Sequence, residues 1–132
     1  MDTLYQNILI PVDGSQQSID AFKRGIEQAK VWKSKVYLVQ VLPEENVGFN
    51  IEERNAFLNA LESYANGQGV FLHKELVYGE PRTQIAETLV DRWDINLIIM
   101  GATGKGRIAK MLLGSVTSYV VRHAKCDVMV SR

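Results

Sequence analysis

The residues best placed to do chemistry lie in one stretch, Gly101–Ser115, which reads GATGKGRIAKMLLGS. Glycines stand at 101, 104, 106 and 114, cations at 105, 107 and 110, and a Gly-Ser pair opens a helical pattern running from Val116 to His123. Glycine lets backbone N–H groups approach a ligand closely and adopt positive φ. A helix N-terminus adds unpaired N–H donors and partial positive charge. Together these features predict a site for a phosphate chain. A second feature is Asp13-Gly14-Ser15, which ends an apolar run near the N-terminus. Its carboxylate either meets a ribose at a strand end or caps the helix that follows.

Three phosphate-loop patterns can be tested against this stretch. A Walker A loop needs GxxxxGK[ST]; Gly101 and Gly106 fit, but Arg107 and Ile108 replace the Lys and the hydroxyl that would ligate magnesium. Gly104-Lys105-Gly106-Arg107-Ile108-Ala109 meets the loose dinucleotide fingerprint, yet the acid expected after the second strand is missing. The pattern that fits fully is Gly101-x2-Gly104-x9-Gly114-Ser115. No catalytic constellation accompanies it. The histidines at 73 and 123 and the cysteine at 126 lack a recognised metal spacing. There is no GxSxG elbow, and no carboxylate is placed as a base for an attacking water.

The elements that must position these residues alternate. Ile8 to Val12 is an apolar run without alternation, which predicts a strand buried on both faces. Ser15 is the expected N-cap of a helix whose face is Ile19, Phe22, Ile26 and Ala29; Gly25 inside it points to close packing. Val36 to Leu42 is the second strand, and Pro43 to Asn50 a loop. A helix through Ala56, Phe57, Leu61, Tyr64 and Ala65 is stopped by Gly67 and Gly69. Val70 to Tyr78 is a third strand, half polar through His73-Lys74-Glu75 and so nearer an edge. Pro81 opens a third helix with the face Ile85, Ala86, Leu89, Val90 and Trp93. Asn96 to Met100 is the fourth strand and Asp127 to Ser131 the last. Alternation of strand and helix predicts an open parallel sheet with helices on both faces. Ligands of such sheets bind beyond the carboxyl ends of strands where strand order reverses. If the first and fourth strands are neighbours there, Asp13 and Gly101 face one crevice.

Composition sets bounds. The chain has 132 residues, 46% hydrophobic and 23% charged, as expected for one globular domain spanning 1–132. Fifteen basic residues balance fifteen acidic ones, so no global field draws it to nucleic acid or anionic lipid, and neither is expected as a partner. The single cysteine excludes an intrachain disulfide. The acidic start has no basic n-region, and no apolar run approaches the ~18 residues of a membrane span. A cytoplasmic protein is the expectation.

With these residues in place, the chain resembles the universal stress protein family over nearly its whole length. The likeness rests on the glycine motif, on Pro11-Val12-Asp13-Gly14-Ser15, on Val39-x-Val41, on Gly79-x-Pro81, on Met100-Gly101, and on Ala124-x-Cys126. The resemblance implies a Rossmann-like sheet of five parallel strands in the order 3-2-1-4-5, and ATP with Mg²⁺ as ligand. Carried over by position, it implies that Asp13 contacts adenine or ribose, and that Pro11, Val12 and Val41 line the adenine pocket with Met100 beside the loop. It implies that Gly101, Gly104, Gly114, Ser115, Val116 and Thr117 hold phosphates and ribose. Lys105 and Arg107 add charge there or face water. Asn96 and Asp127 depart from the family pattern, which often has Asp before the fourth strand and Pro after the Cys. The apolar last strand, Val128-Met129-Val130, predicts a homodimer paired across a twofold axis. The expected function is an adenine-nucleotide-binding regulatory module with at most slow hydrolysis. The alternative is an interaction protein whose glycine loop is structural or takes another nucleotide such as AMP.

Overall fold

The computed structural model describes residues 4–103 and 113–132. Gly104, Lys105 and Arg107, three of the expected site residues, lie outside the described residues. Five strands form one parallel sheet in the order β3-β2-β1-β4-β5. They are β1 (Asn7–Pro11), β2 (Lys35–Leu42), β3 (Leu72–Tyr78), β4 (Leu97–Gly101) and β5 (Asp127–Ser131). The helices are α1 (Gln16–Trp32), α2 (Ile51–Gly67), α3 (Pro81–Thr83), α4 (Leu89–Trp93) and α5 (Ser115–His123). β1 pairs with β2 on one side and β4 on the other, from Ile8↔Val36 and Ile8↔Leu97 onward. The chain therefore winds outward through β3 and returns past β1. Strand order reverses between β1 and β4, the order that the family resemblance implied.

The two faces of the sheet carry separate cores because side chains alternate along each strand. Ile8, Ile10, Val36, Leu38 and Ile99 pack under α1 and α2. Leu9, Val39, Ile98 and Met100 pack under the segment Pro81–Trp93 and α5. Burial of both faces explains the unbroken apolar runs of β1 and β4. Gly25 lets α1 sit directly on the strands: a Cβ there would lie 2.5 Å from Ile10 Cδ1. β3 is an edge, in keeping with its polar residues.

The boundaries shift where backbone partners decide them. β3 starts at Leu72 rather than Val70, because the Val70 N–H donates to Ala65 O at 3.0 Å and belongs to the end of α2. β4 starts after Asn96, whose side-chain Oδ1 accepts from the N–H groups of Gln6 and Asn7. That bond ties β1 to β4 and gives the asparagine a structural task. Asp127 has one as well: its Oδ2 accepts from the Tyr5 hydroxyl at 2.7 Å, an interaction that raises the Tyr5 pKa. The third helix is not uniform. Gln84–Thr88 forms a π turn between α3 and α4, although Ile85, Ala86, Leu89 and Val90 keep one buried face throughout. A π turn admits an extra residue without moving the apolar stripe off the core, so the spacing of threes and fours hid it.

Candidate functional site

Three strand-to-helix corners converge at the carboxyl end of the sheet. The first follows β1. Pro11 and Val12 are buried, and the Val12 N–H continues the β2 ladder by donating to Val39 O at 2.8 Å. The chain then turns through Asp13 and Gly14, the latter at φ +88, a conformation that favours glycine. Asp13 Oδ1 accepts from the Ser15 N–H at 2.9 Å, an Asx turn. Ser15 caps α1, accepting from the Ser18 N–H at 3.1 Å, and the Ser18 hydroxyl donates back to Ser15 O at 2.9 Å. Asp13 thus both shapes this corner and stands exposed at its rim. Asp13 does not cap α1, a task that Ser15 takes; its carboxylate holds the turn that leads into the cap.

The second corner follows β4. A Cβ at Gly101 would sit 3.2 Å from Gln17 O of α1 and 3.3 Å from Thr103 O. Two backbone oxygens thus approach it closely, and a side chain there would have to push one of them back by a few tenths of an ångström. Gly114 is the N-cap of α5 at φ −62, also outside the left-handed region, so positive φ is not the reason for glycine there. Two bonds staple strand to helix across the intervening loop: Gly114 N–H to Ala102 O at 2.8 Å, and Thr117 Oγ1–H to Gly101 O at 2.8 Å. The buried Thr117 hydroxyl has therefore committed its proton to the fold and keeps only acceptor capacity toward a ligand. Gly114 supplies no side-chain cap. The first-turn N–H groups of Ser115, Val116 and Thr117 have no acceptor within the helix. They carry the positive end of its dipole.

The third corner, after β3, contributes Pro81 and Ile85. Pro81 is the first residue of α3, capped by the Glu80 side chain, which accepts from the Arg82 N–H at 3.0 Å. The π turn presents Ile85, 4% exposed, to the same crevice. Together the corners enclose a cavity of about 300 Å³, of a size that takes small organic ligands. Its wall is apolar where Val12, Val41, Ile85 and Met100 meet, and polar where Asp13, Ser18, Thr103 and Ser115 meet. Ten of the expected residues line this one cavity: Pro11, Val12, Asp13, Val41, Met100, Gly101, Gly114, Ser115, Val116 and Thr117. Ser18, Thr103, Pro81 and Ile85 line it too and were not expected. Thr103 is 6% exposed, and its Oγ1 has no hydrogen-bond partner among the described residues.

The arrangement can bind a molecule with an apolar planar part and an anionic tail aimed at α5. It holds little for covalent chemistry. No cluster of three His, Cys, Asp or Glu side chains exists among the described residues. Asp13 is the one carboxylate on the cavity wall among them. The Cys126 thiol is pushed up to about 11 by burial and then by the neighbouring Asp127 carboxylate, so it is no thiolate nucleophile at neutral pH. Among the described residues, no helix is long and apolar enough to cross a membrane.

Comparison with known proteins agrees with this geometry. The universal stress protein family model matches residues 4–132. A universal stress protein of Methanocaldococcus jannaschii is 35% identical, over 98% of this chain and 83% of that protein. The solved structure of a universal stress protein from Lactobacillus plantarum superposes with a TM-score of 0.88 at 27% identity, covering 97% of this chain and 98% of that one. A universal stress protein solved in complex with cAMP superposes with a TM-score of 0.78 at 28% identity, covering 97% of each chain. The chain belongs to the universal stress protein family.

Proposed function

We propose that this universal stress protein is a regulatory module that binds ATP, with Mg²⁺, in the crevice between β1 and β4. The observation that carries the reading is the cavity itself, an apolar slot opening onto the uncapped N-terminus of α5. The residues present fit the ligand. Val41, Ile85 and Met100 offer an apolar slot for a base, and Asp13 stands where a ribose hydroxyl can donate to it. The N–H groups of Ser115 and Val116 suit phosphate oxygens, since backbone donors at a helix N-terminus bind anions without desolvating a cation. Bound Mg²⁺ would neutralise phosphate charge, and such ions are held largely by substrate phosphates with one or two carboxylates. Asp13, the one carboxylate on the described wall, belongs to the nucleoside end, so the phosphates themselves would hold the ion.

The chain's own groups bind and orient; none on the described wall is placed to take a proton from an attacking water. Turnover is therefore expected to stay slow. A nucleoside monophosphate is the second reading, favoured by the cAMP complex of the 28%-identical relative. Titration calorimetry of nucleotide-stripped protein with Mg·ATP, Mg·GTP and AMP tests both readings. Micromolar ATP binding with GTP silent is the expected result. AMP binding as tightly as ATP would move the second reading to first place. Silence with all three would make the glycine loop structural.

A homodimer through β5 belongs to the same proposal. β5 is a sheet edge, Met129 is 38% exposed, and Val128 and Val130 are half-buried. An unpaired apolar edge strand is a ready template for pairing. Light scattering at high micromolar concentration should return twice the chain mass; a monomer mass would remove the dimer.

A further inference from the structure

The connection between β2 and α2 turns its apolar side chains outward. Val47 is 64% exposed, Phe49 61% and Ile51 38%. They sit on an ordered frame. A 3-10 turn covers Glu44–Asn46, the Phe49 N–H donates to Asn46 O at 3.0 Å, and Arg54 Nε donates to Phe49 O at 2.9 Å. Asn50 holds φ +53, in the left-handed region, yet its side chain makes no capping bond to α2. The Asn50 carbonyl accepts the Arg54 N–H at 3.0 Å and opens α2, and asparagine is one of the residues that tolerate this region, so the turn is held in place with Phe49 and Ile51 exposed on either side of it.

The frame is also acidic. Glu44, Glu45, Glu52 and Glu53 are all exposed and form no ion pair among the described residues. Glu52 and Glu53 favour the N-terminus of α2 through its dipole. That explanation does not reach Glu44 and Glu45, nor three exposed apolar groups between the acid pairs. An apolar centre with a charged rim is the anatomy of a protein interface.

We propose that Pro43–Glu53 is a docking surface for a basic amphipathic segment of another protein, its apolar face on Val47, Phe49 and Ile51 and its cations on the four glutamates. Charge decides against a second copy: an isologous contact would bring the glutamates of one protomer against those of the other. β3 is the edge strand opposite β5, with β2 beside it, so a dimer paired through β5 would leave this surface free. The segment starts two residues after Val41, on the cavity wall, but the proposal does not depend on what the cavity binds.

The probe is a fluorescent amphipathic peptide of Leu and Lys, roughly 18 residues or five helical turns long, titrated with the whole protein and read by anisotropy. Micromolar binding that weakens as salt rises is the expected result. Phe49→Ser, at an exposed site, should weaken it about tenfold or more. Reversing the four acids (E44K, E45K, E52K, E53K) should abolish it and create binding to the matching Leu/Glu peptide. Circular dichroism checks that each variant is folded. No binding by the wild-type chain overturns the proposal, as does binding that Phe49→Ser leaves unchanged. A sedimentation mass, or binding to neutral phosphatidylcholine vesicles, that falls in Phe49→Ser also overturns it, assigning the patch to a second copy or a lipid surface.

Discussion

The corners after β1 and β4 are built alike and finished differently. Each takes the chain from a buried strand through a glycine into a helix, and the two face each other across one crevice. The β1 corner satisfies itself. Ser15 caps α1, Asp13 holds the turn, and Ser18 closes the network. Among the described residues, the β4 corner is tied down by the Gly101–Thr117 and Ala102–Gly114 bonds and by the Ala102 N–H donating to Ser131 O of β5. Its helix end has glycine where the other has serine. Two helix N-termini thus stand at one cavity: the Ser15 cap takes up the Ser18 N–H of α1, whereas no side chain caps α5 and its first-turn N–H groups all stay available to an anion. On the proposed reading, the missing cap marks the phosphate corner better than the presence of glycine does.

The largest effect should come from finishing the second corner like the first. Gly114→Asp places a carboxylate at the N-cap, where φ −62 and ψ 161 suit any residue and Asp is a preferred cap. The side chain would accept from the first-turn N–H groups and put negative charge where phosphates are expected. ATP affinity should fall about 100-fold or more, since it loses charge-assisted bonds and meets a like charge. The thermal midpoint should hold or rise slightly, measured on the same preparation. Unchanged affinity would mean that α5 is not the phosphate end, and the contrast between the corners would lose its functional meaning.

Much of this contrast was legible in the sequence. The alternation of apolar runs and amphipathic stretches gave the doubly covered sheet, and Asp13-Gly14-Ser15 showed a capped corner. Gly101 and Gly114 were read as a ligand loop, and the structure sets both beside the cavity. What escaped had physical reasons. Ser18 looks like any first-turn serine until its hydroxyl is seen bonded to Ser15 O. Pro81 and Ile85 come from a third corner that only the wound strand order brings alongside, and the π turn that presents Ile85 leaves the apolar spacing intact. Of the two properties that glycine brings, close approach and positive φ, Gly101 uses the first, against Gln17 O.

An intermediate effect should come from Asp13, which serves fold and site together. Asp13→Ala removes both the Asx turn and the carboxylate, whereas Asp13→Asn keeps an oxygen able to accept from the Ser15 N–H. Nucleotide affinity should drop about tenfold in both variants, because a ribose hydroxyl loses a charged acceptor. Only the alanine variant should also lower the thermal midpoint. If Asn restores affinity to the wild-type value, charge is irrelevant and Asp13 acts through the turn alone.

The smallest effect on binding, and the cleanest on stability, should come from Ser15→Ala. The Ser15 hydroxyl accepts the Ser18 N–H as the cap of α1, and Ser15 is not among the residues lining the cavity. Loss of such a cap costs about 1 kcal/mol, or roughly 3–5 °C in midpoint for a domain of this size. ATP affinity should change less than about twofold, or about 0.4 kcal/mol. The comparison depends on that separation. A large loss of affinity with little loss of stability would show the first helix end taking part in binding, so that the capped corner also meets the phosphates and the two corners act as one.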